Sequence, residues 1–159
     1  MNRLTAAIAA VALSLLGTGA ASADKWTMLQ EMEVSIGYGP SETESWLSVT
    51  CSAGQSEIYV NTAPGTKPPA RAPELVVKEG GTTNTIKLEA NVCGQPTRCM
   101  HRPDGEVPTY VARTKSKAMA LRFAEKMTSA EIDAPGAKLS VMADRPLFKK
   151  FAAACRTWK

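Results

Sequence analysis

The chain has 159 residues, of which 44% are hydrophobic and 21% charged, with 19 Lys and Arg against 15 Asp and Glu. This length suits one domain with one hydrophobic core. The formal net charge of +4 comes from basic residues that are scattered along the sequence. A nucleic-acid-binding protein gathers its lysines and arginines into a patch or stripe. The scattered distribution of these residues therefore argues against a nucleic-acid partner.

The first residues have the features of a secretory signal. Arg3 precedes an apolar run over 6–16, and Ala21-Ser22-Ala23 supplies a small-residue cleavage site. The run is too short for a bilayer span, which needs roughly 17–25 residues. We therefore predict a signal peptide over 1–23 that is cleaved after Ala23, and a single β-rich domain over 24–159. That domain is periplasmic or secreted and has no stable membrane anchor.

Alternation of apolar and polar residues predicts strands at the start of the domain. Met32, Val34 and Ile36 alternate with Glu31, Glu33 and Ser35, and the turn formers at 37–40 end this segment. The runs 46–52 and 56–61 predict a hairpin whose link contains Gly54, where a positive φ is needed. In that hairpin Leu47, Val49 and Cys51 share one face, opposite Ile58 and Val60.

The middle of the chain predicts a long loop and a second hairpin. Segment 63–73 holds four prolines and one glycine, which favours an irregular surface loop. Segments 74–79 and 83–92 flank Gly80-Gly81 and predict a hairpin. One face of its second arm carries four apolar side chains, Ile86, Leu88, Ala90 and Val92.

The last third mixes strands with two helices. A strand is predicted over 107–112, and a hairpin over 130–133 and 138–143. Between them, segment 115–127 has a helical period that places Met119, Phe123 and Met127 on one stripe. Asp144 and Pro146 predict the start of a second helix. Its apolar stripe is formed by Phe148, Phe151, Ala152 and Cys155.

The four cysteines predict two disulfides, because an even number in an exported chain favours full oxidation. Cys51 lies on the apolar face of its strand and Cys155 on the apolar stripe of its helix, so both point into one core. Cys93 and Cys99 flank a short loop of turn-forming residues. We predict the pairs Cys51–Cys155 and Cys93–Cys99.

Metal binding is the alternative for the second cysteine pair. The C-x5-C spacing is wider than that of common zinc pairs, and Met100-His101 beside Cys99 suits a soft metal such as copper. An oxidising compartment consumes the thiols that such a site needs. The prediction is therefore that the chain holds no metal and no cofactor.

Recognisable catalytic motifs are missing from the sequence. His101 is the one histidine, so a nucleophile–base pair has a single candidate base. Glu31 and Glu33, two residues apart, resemble a solvated strand edge more than an acid–base pair. We interpret the chain as a non-enzyme.

Two loops are the predicted contact surfaces for a protein partner, the proline-rich loop 63–73 and the cysteine loop 93–103. Exposed arginines and methionines are common in interfaces. The predicted partner-binding residues are Lys67, Arg71, Arg98, Met100, His101 and Arg102.

The layout resembles two groups of small periplasmic β-rich proteobacterial proteins. These are the type VI secretion accessory proteins (TagO/VasI-like) and the invasion-associated locus B-like proteins. The resemblance rests on a Trp-led first strand at Lys25-Trp26-Thr27, on the hairpin carrying Cys51, and on the ending Cys155-Arg156-Thr157-Trp158. It implies a periplasmic accessory protein and no functional residues.

The predicted fold is mainly β with two short helices (α+β). It is an antiparallel sandwich or barrel-like sheet with a C-terminal helix packed on it and two disulfides. The predicted function is an exported cell-envelope binding or accessory protein that acts through protein–protein contacts and is associated with secretion or host interaction. The alternative is an inhibitor of a hydrolase such as a lysozyme or protease, since rigid loops suit an active site.

Overall fold

The computed structural model describes residues 24–40, 45–62, 73–91, 101–102, 105–106, 109–134 and 137–159. The strands in these ranges are β1 Lys25–Gln30, β2 Val34–Gly39, β3 Leu47–Ser52, β4 Gln55–Asn61, β5 Glu74–Glu79, β6 Thr82–Lys87, β7 Glu89–Asn91, β8 His101–Arg102, β9 Gly105–Glu106, β10 Thr109–Thr114, β11 Met127–Ala134 and β12 Ala137–Met142. The helices are α1 Ala118–Lys126 and α2 Arg145–Thr157.

The strands form two main sheets, both antiparallel. A six-stranded sheet has the order β1-β2-β3-β4-β10-β7, and a four-stranded sheet has the order β12-β11-β5-β6. Strands β8 and β9 pair separately. The prediction of a mainly β chain with two helices is confirmed.

One face of the six-stranded sheet supplies much of the hydrophobic core. The register places Ile36 beside Val49 and Val49 beside Ile58, and all three side chains are fully buried. Because side chains alternate across a strand, every second residue of β2, β3 and β4 points into this core. The four-stranded sheet adds Leu75, Val77, Ala130, Ile132 and Val141 to the same cluster.

Both helices pack on that core face. The predicted stripe of α2 is buried as expected, through Phe148, Phe151, Ala152 and Cys155. The indole of Trp26 on β1 meets the Phe148 ring edge-on, with centroids 4.8 Å apart. Asp144 caps α2 as predicted, accepting a hydrogen bond from the Leu147 amide at 3.1 Å.

The Cys51–Cys155 disulfide is confirmed. It joins β3 to the last turn of α2 across a Cα–Cα distance of 5.6 Å, and it closes a sequence separation of 104 residues. The predicted Cys93–Cys99 pair lies outside the described residues, as does the predicted signal peptide over 1–23.

The start of the domain differs from the prediction. Residues 31–33 form a turn between β1 and β2, and Met32 is 92% exposed instead of sharing the buried face of Val34 and Ile36. Strand β2 also continues through 37–39, where an end was predicted. Gly37 lets Ser45 pack against this part of β2, because a Cβ at position 37 would lie 3.0 Å from the Ser45 Cβ.

The second arm of the Gly80-Gly81 hairpin also differs. The turn itself is confirmed, with Gly80 at φ 62°. However, the arm divides at Leu88, since β6 pairs with β5 in one sheet and β7 pairs with β10 in the other. Leu88 is fully buried and Ala90 is exposed. The continuous apolar face predicted from Ile86 to Val92 was therefore wrong at Ala90, while Val92 lies outside the described residues.

Candidate functional site: a groove on the six-stranded sheet

The face of the six-stranded sheet that points away from the helices is polar. Since Leu47, Val49 and Cys51 point into the core, their neighbours on β3 point the other way. Those neighbours are Ser48, Thr50 and Ser52. Strand β4 continues the pattern with Gln55, Glu57, Tyr59 and Asn61. The result is a sheet face dominated by hydroxyl, amide and carboxylate groups.

A groove of about 870 Å³ runs over this face. We call it the sheet groove. The described residues that line it are Thr27, Leu29, Glu31, Met32, Glu33, Ser35, Gly37, Ser45, Ser48, Thr50, Ser52, Ala53, Gln55, Tyr59, Asn61, Thr109, Trp158 and Lys159. Its volume lies within the range of about 300–1,000 Å³ that is common for ligand sites.

A buried carboxylate lies on the same sheet face, beside the groove lining. Arg113 Nε donates to Glu57 Oε1 at 2.9 Å, and the Tyr59 hydroxyl donates to Glu57 Oε2. The register explains this cluster, because Arg113 of β10 lies directly opposite Glu57 of β4. Both carboxylate oxygens are therefore held by protein donors, which fixes the group in position.

Asn61 organises one end of the sheet groove. Its Nδ2 donates to the Ser45 carbonyl at 2.6 Å, and its Oδ1 accepts from the Thr109 hydroxyl at 3.3 Å. The amide thus ties the residues before β3 to the start of β10. Near the same end, the missing side chain of Gly37 lets the Ser45 side chain lie close against the sheet.

The opposite end of the groove carries Met32 and Trp158 among the charged residues Glu31, Glu33 and Lys159. The turn 31–33 and the β3–β4 link lie at this end, because Val34 pairs with Cys51 and Cys51 with Ser56. Trp158 reaches it because the disulfide fixes Cys155 to Cys51 nearby. Met32 protrudes between Glu31 and Glu33. Methionine and tryptophan side chains at a groove mouth are typical of protein contact surfaces.

The residues predicted to bind a partner fall largely outside the described ranges. Lys67, Arg71, Arg98 and Met100 all do so. His101 and Arg102 form β8, which pairs with β9, and the structure describes their backbone alone. Their role therefore stays a prediction.

Sequence reasoning missed the polar face of β3 and β4. The signal was present, since Ser48, Thr50 and Ser52 repeat every second residue opposite the apolar set. The apolar half of that alternation alone predicts the core face. Of the two glutamates weighed as an acid–base pair, Glu31 and Glu33, both line the sheet groove but lie in a turn instead of on a strand.

Within the described part of the chain, no three His, Cys, Asp or Glu side chains are grouped as a metal site requires. No helix in those same ranges has the length and hydropathy to cross a bilayer. The predictions about cofactors and membrane anchoring stay predictions.

Comparisons with known proteins give no relative for this fold and groove. No protein-family description, no curated protein and no solved structure matches the chain. The resemblance to secretion accessory and invasion-associated proteins stays an expectation from the sequence.

Proposed function

We propose that the chain is an exported binding protein of the cell envelope that recognises a protein partner through the sheet groove. The observation that carries the proposal is the groove itself, with a floor of hydrogen-bonding side chains and an end at which Met32 and Trp158 lie among charged residues. The disulfide is compatible with export, because such bonds persist in oxidising compartments. We also propose that the two sheets pack face to face as a sandwich, which is the arrangement that the sequence predicts.

The lining favours a polypeptide ligand for two reasons. Hydroxyl and amide groups both donate and accept hydrogen bonds, which suits the alternating N–H and C=O groups of an extended chain. In addition, tryptophan and methionine at one end offer the kind of anchor that dominates protein interfaces. Met32 is suited to be that anchor, since its side chain is almost fully exposed.

The first experiment places a photo-crosslinking amino acid in the full-length protein in its native host. Met32 and Ser48 are the groove positions, and exposed Ser140 on β12 is the control. The proposal expects one and the same polypeptide, identified by mass spectrometry, to crosslink to both groove positions and not to Ser140. Equal crosslinking at all three positions, or none at either groove position, would contradict it.

A second experiment measures affinity for the crosslinked partner once it is purified. Met32 and Met142 are the exposed large hydrophobic residues of the described chain, at 92% and 71%, and Met142 does not line the groove. Met32→Asp is expected to weaken binding at least about tenfold, as loss of an interface anchor does. Met142→Asp is expected to leave the Kd unchanged. The reverse order would place the interface elsewhere.

A further inference from the structure

A second cavity of about 400 Å³ lies between α1 and the β5–β6 hairpin. It is separate from the sheet groove and shares none of its lining residues. Its apolar wall is formed by Val77, Ile86, Met119 and Phe123, and its polar groups come from Glu79, Asn84, Thr85, Thr114, Ser116 and Arg122. A mainly apolar wall with a few convergent polar groups is the usual composition of a small-molecule site.

Asn84 is the unusual residue of this wall. It lies on the inner face of β6, directly opposite buried Val77 and two positions from Ile86. Its side-chain nitrogen is buried and has no hydrogen-bond partner in the described part of the chain. Buried polar groups in folded proteins are almost always paired. Rotation about the Cβ–Cγ bond, which is soft in asparagine, would turn this N–H toward an acceptor inside the cavity.

Arg122 supplies a cationic group at the same cavity. Its Nε donates to Glu79 Oε1 at 2.8 Å and its Nη2 donates to Glu79 Oε2 at 2.8 Å. This two-point contact fixes the guanidinium and occupies both oxygens of Glu79. Arginine has five N–H donors, so Nη1 keeps two for a ligand, and no group in the described ranges accepts from it.

The two polar groups are near neighbours on one surface. Val77 faces Asn84 and Glu79 faces Thr82 across the same hairpin. Glu79 and Asn84 are therefore a diagonal pair on one sheet face, and such pairs are about 7–8 Å apart. Arg122, held by Glu79, lines the same cavity as Asn84.

We propose that this cavity binds a small carboxylate with an apolar chain. The carboxylate accepts hydrogen bonds from Arg122 Nη1 and from the Asn84 amide, and the chain packs on Ile86, Met119 and Phe123. An anion is favoured over a neutral ligand because a hydrogen bond from the Arg122 guanidinium to a carboxylate is charge-assisted. The Arg122 side chain is 59% exposed, so water screens the ligand from the Glu79 carboxylate. The site is independent of the proposed function of the sheet groove.

The test titrates octanoate into the full-length disulfide-bonded protein as purified after expression, using calorimetry and NMR of the side-chain N–H groups. Saturable binding is expected, with the largest shifts at the Asn84 amide and at Arg122 Nε. Octan-1-ol, which has the same chain and no charge, is expected to bind about tenfold more weakly. Absence of saturable octanoate binding, or equal binding of the alcohol, would overturn the proposal.

Substitutions locate the site. Ala118 is exposed and lines the cavity, so Ala118→Trp is expected to block octanoate without disturbing the core. Exposed Ala153 on α2 gives the matched control, Ala153→Trp. Arg122→Gln is expected to reduce octanoate affinity about tenfold, while Arg156→Gln, at the ion pair with Glu125, leaves it unchanged. Binding that survives Ala118→Trp would exclude this cavity.

Discussion

Tyr110 combines complete burial with an unpaired hydroxyl. The residue is 0% exposed, and its Oη has no hydrogen-bond partner in the described part of the chain. An unpaired buried hydroxyl costs more than a buried hydrogen atom would. Tyr110→Phe is therefore expected to raise the free energy of unfolding by about 1 kcal/mol. Denaturant titration at pH 7 measures this, and a loss of stability would show that the hydroxyl has a partner.

The same residue predicts a pH dependence. Burial raises the pKa of Tyr110 above its ordinary value of 10.0, since the phenolate is disfavoured away from water. A group with a raised folded-state pKa stabilises the fold below its unfolded pKa and loses that contribution as pH rises through the folded value. Above pH 10 the wild type should therefore lose stability more steeply than Tyr110→Phe. Parallel curves for the two proteins would refute this.

Gly37 gives a test of the floor of the sheet groove. A Cβ at this position would lie 3.0 Å from the Ser45 Cβ, whereas a Cβ at Gly81 meets nothing within 4 Å. Gly37→Ala is expected to lower the free energy of unfolding by about 1–3 kcal/mol, as overpacking does. Gly81→Ala, the control, should not. If both variants are equally stable, Ser45 is not held against the sheet.

At the scale of elements, the start of α2 depends on one side chain. Asp144 accepts the Leu147 amide hydrogen, and Pro146 lies in the first turn. Asp144→Ala is expected to lower the free energy of unfolding by about 1 kcal/mol, the usual effect of losing such a cap. The exposed Asp133→Ala serves as control, because its contact with Lys138 spans 3.9 Å between two largely exposed side chains. Chemical denaturation of the three proteins settles the comparison.

Elements with strong local signals were predictable from the sequence. Helix α2 has a cap and a helical apolar stripe, and the β3–β4 hairpin has alternation with Gly54 at φ 79°. The turn at 31–33 was not predictable, because Met32 continues the alternation of Val34 while lying in solvent. The division of β6 from β7 was not predictable either. It depends on which sheet offers a partner, and that is decided by β5 and β10, distant in sequence.

The sheet groove was only partly predictable from the sequence, because it also depends on which strands lie side by side. Period-two patterning gives the face of Ser48 and Thr50, but it does not give the strand neighbours. The Glu57–Arg113 pair exists because β10 lies beside β4, although 56 residues separate the two side chains. A sequence shows the polar face; only the pairing of strands shows that these faces join into one groove.

At the scale of the molecule, one small region joins both helices to the six-stranded sheet. Lys117 Nζ, just before α1, donates to the Cys155 carbonyl at 2.9 Å and also to the Trp158 carbonyl. Ser56 accepts the Ala120 amide hydrogen at 3.4 Å and donates to the Ser116 carbonyl at 2.8 Å. Cys51 is the direct cross-strand neighbour of Ser56. The start of α1, the end of α2 and two strands therefore meet at the disulfide.

This convergence predicts what reduction of the disulfide does. A cross-link that closes about 100 residues stabilises by about 4.7 kcal/mol at most, by restricting the unfolded chain. The Cys51→Ala, Cys155→Ala double variant is therefore expected to lose up to about that amount, a large part of the stability of a domain this size. Because Trp158 lines the sheet groove, the variant should also lose affinity for the groove partner under conditions in which its sheets remain folded. Circular dichroism during denaturation gives the first quantity and titration with the partner the second. Unchanged partner affinity in a folded double variant would mean that Trp158 is held in the groove by Lys117 and the helix packing alone.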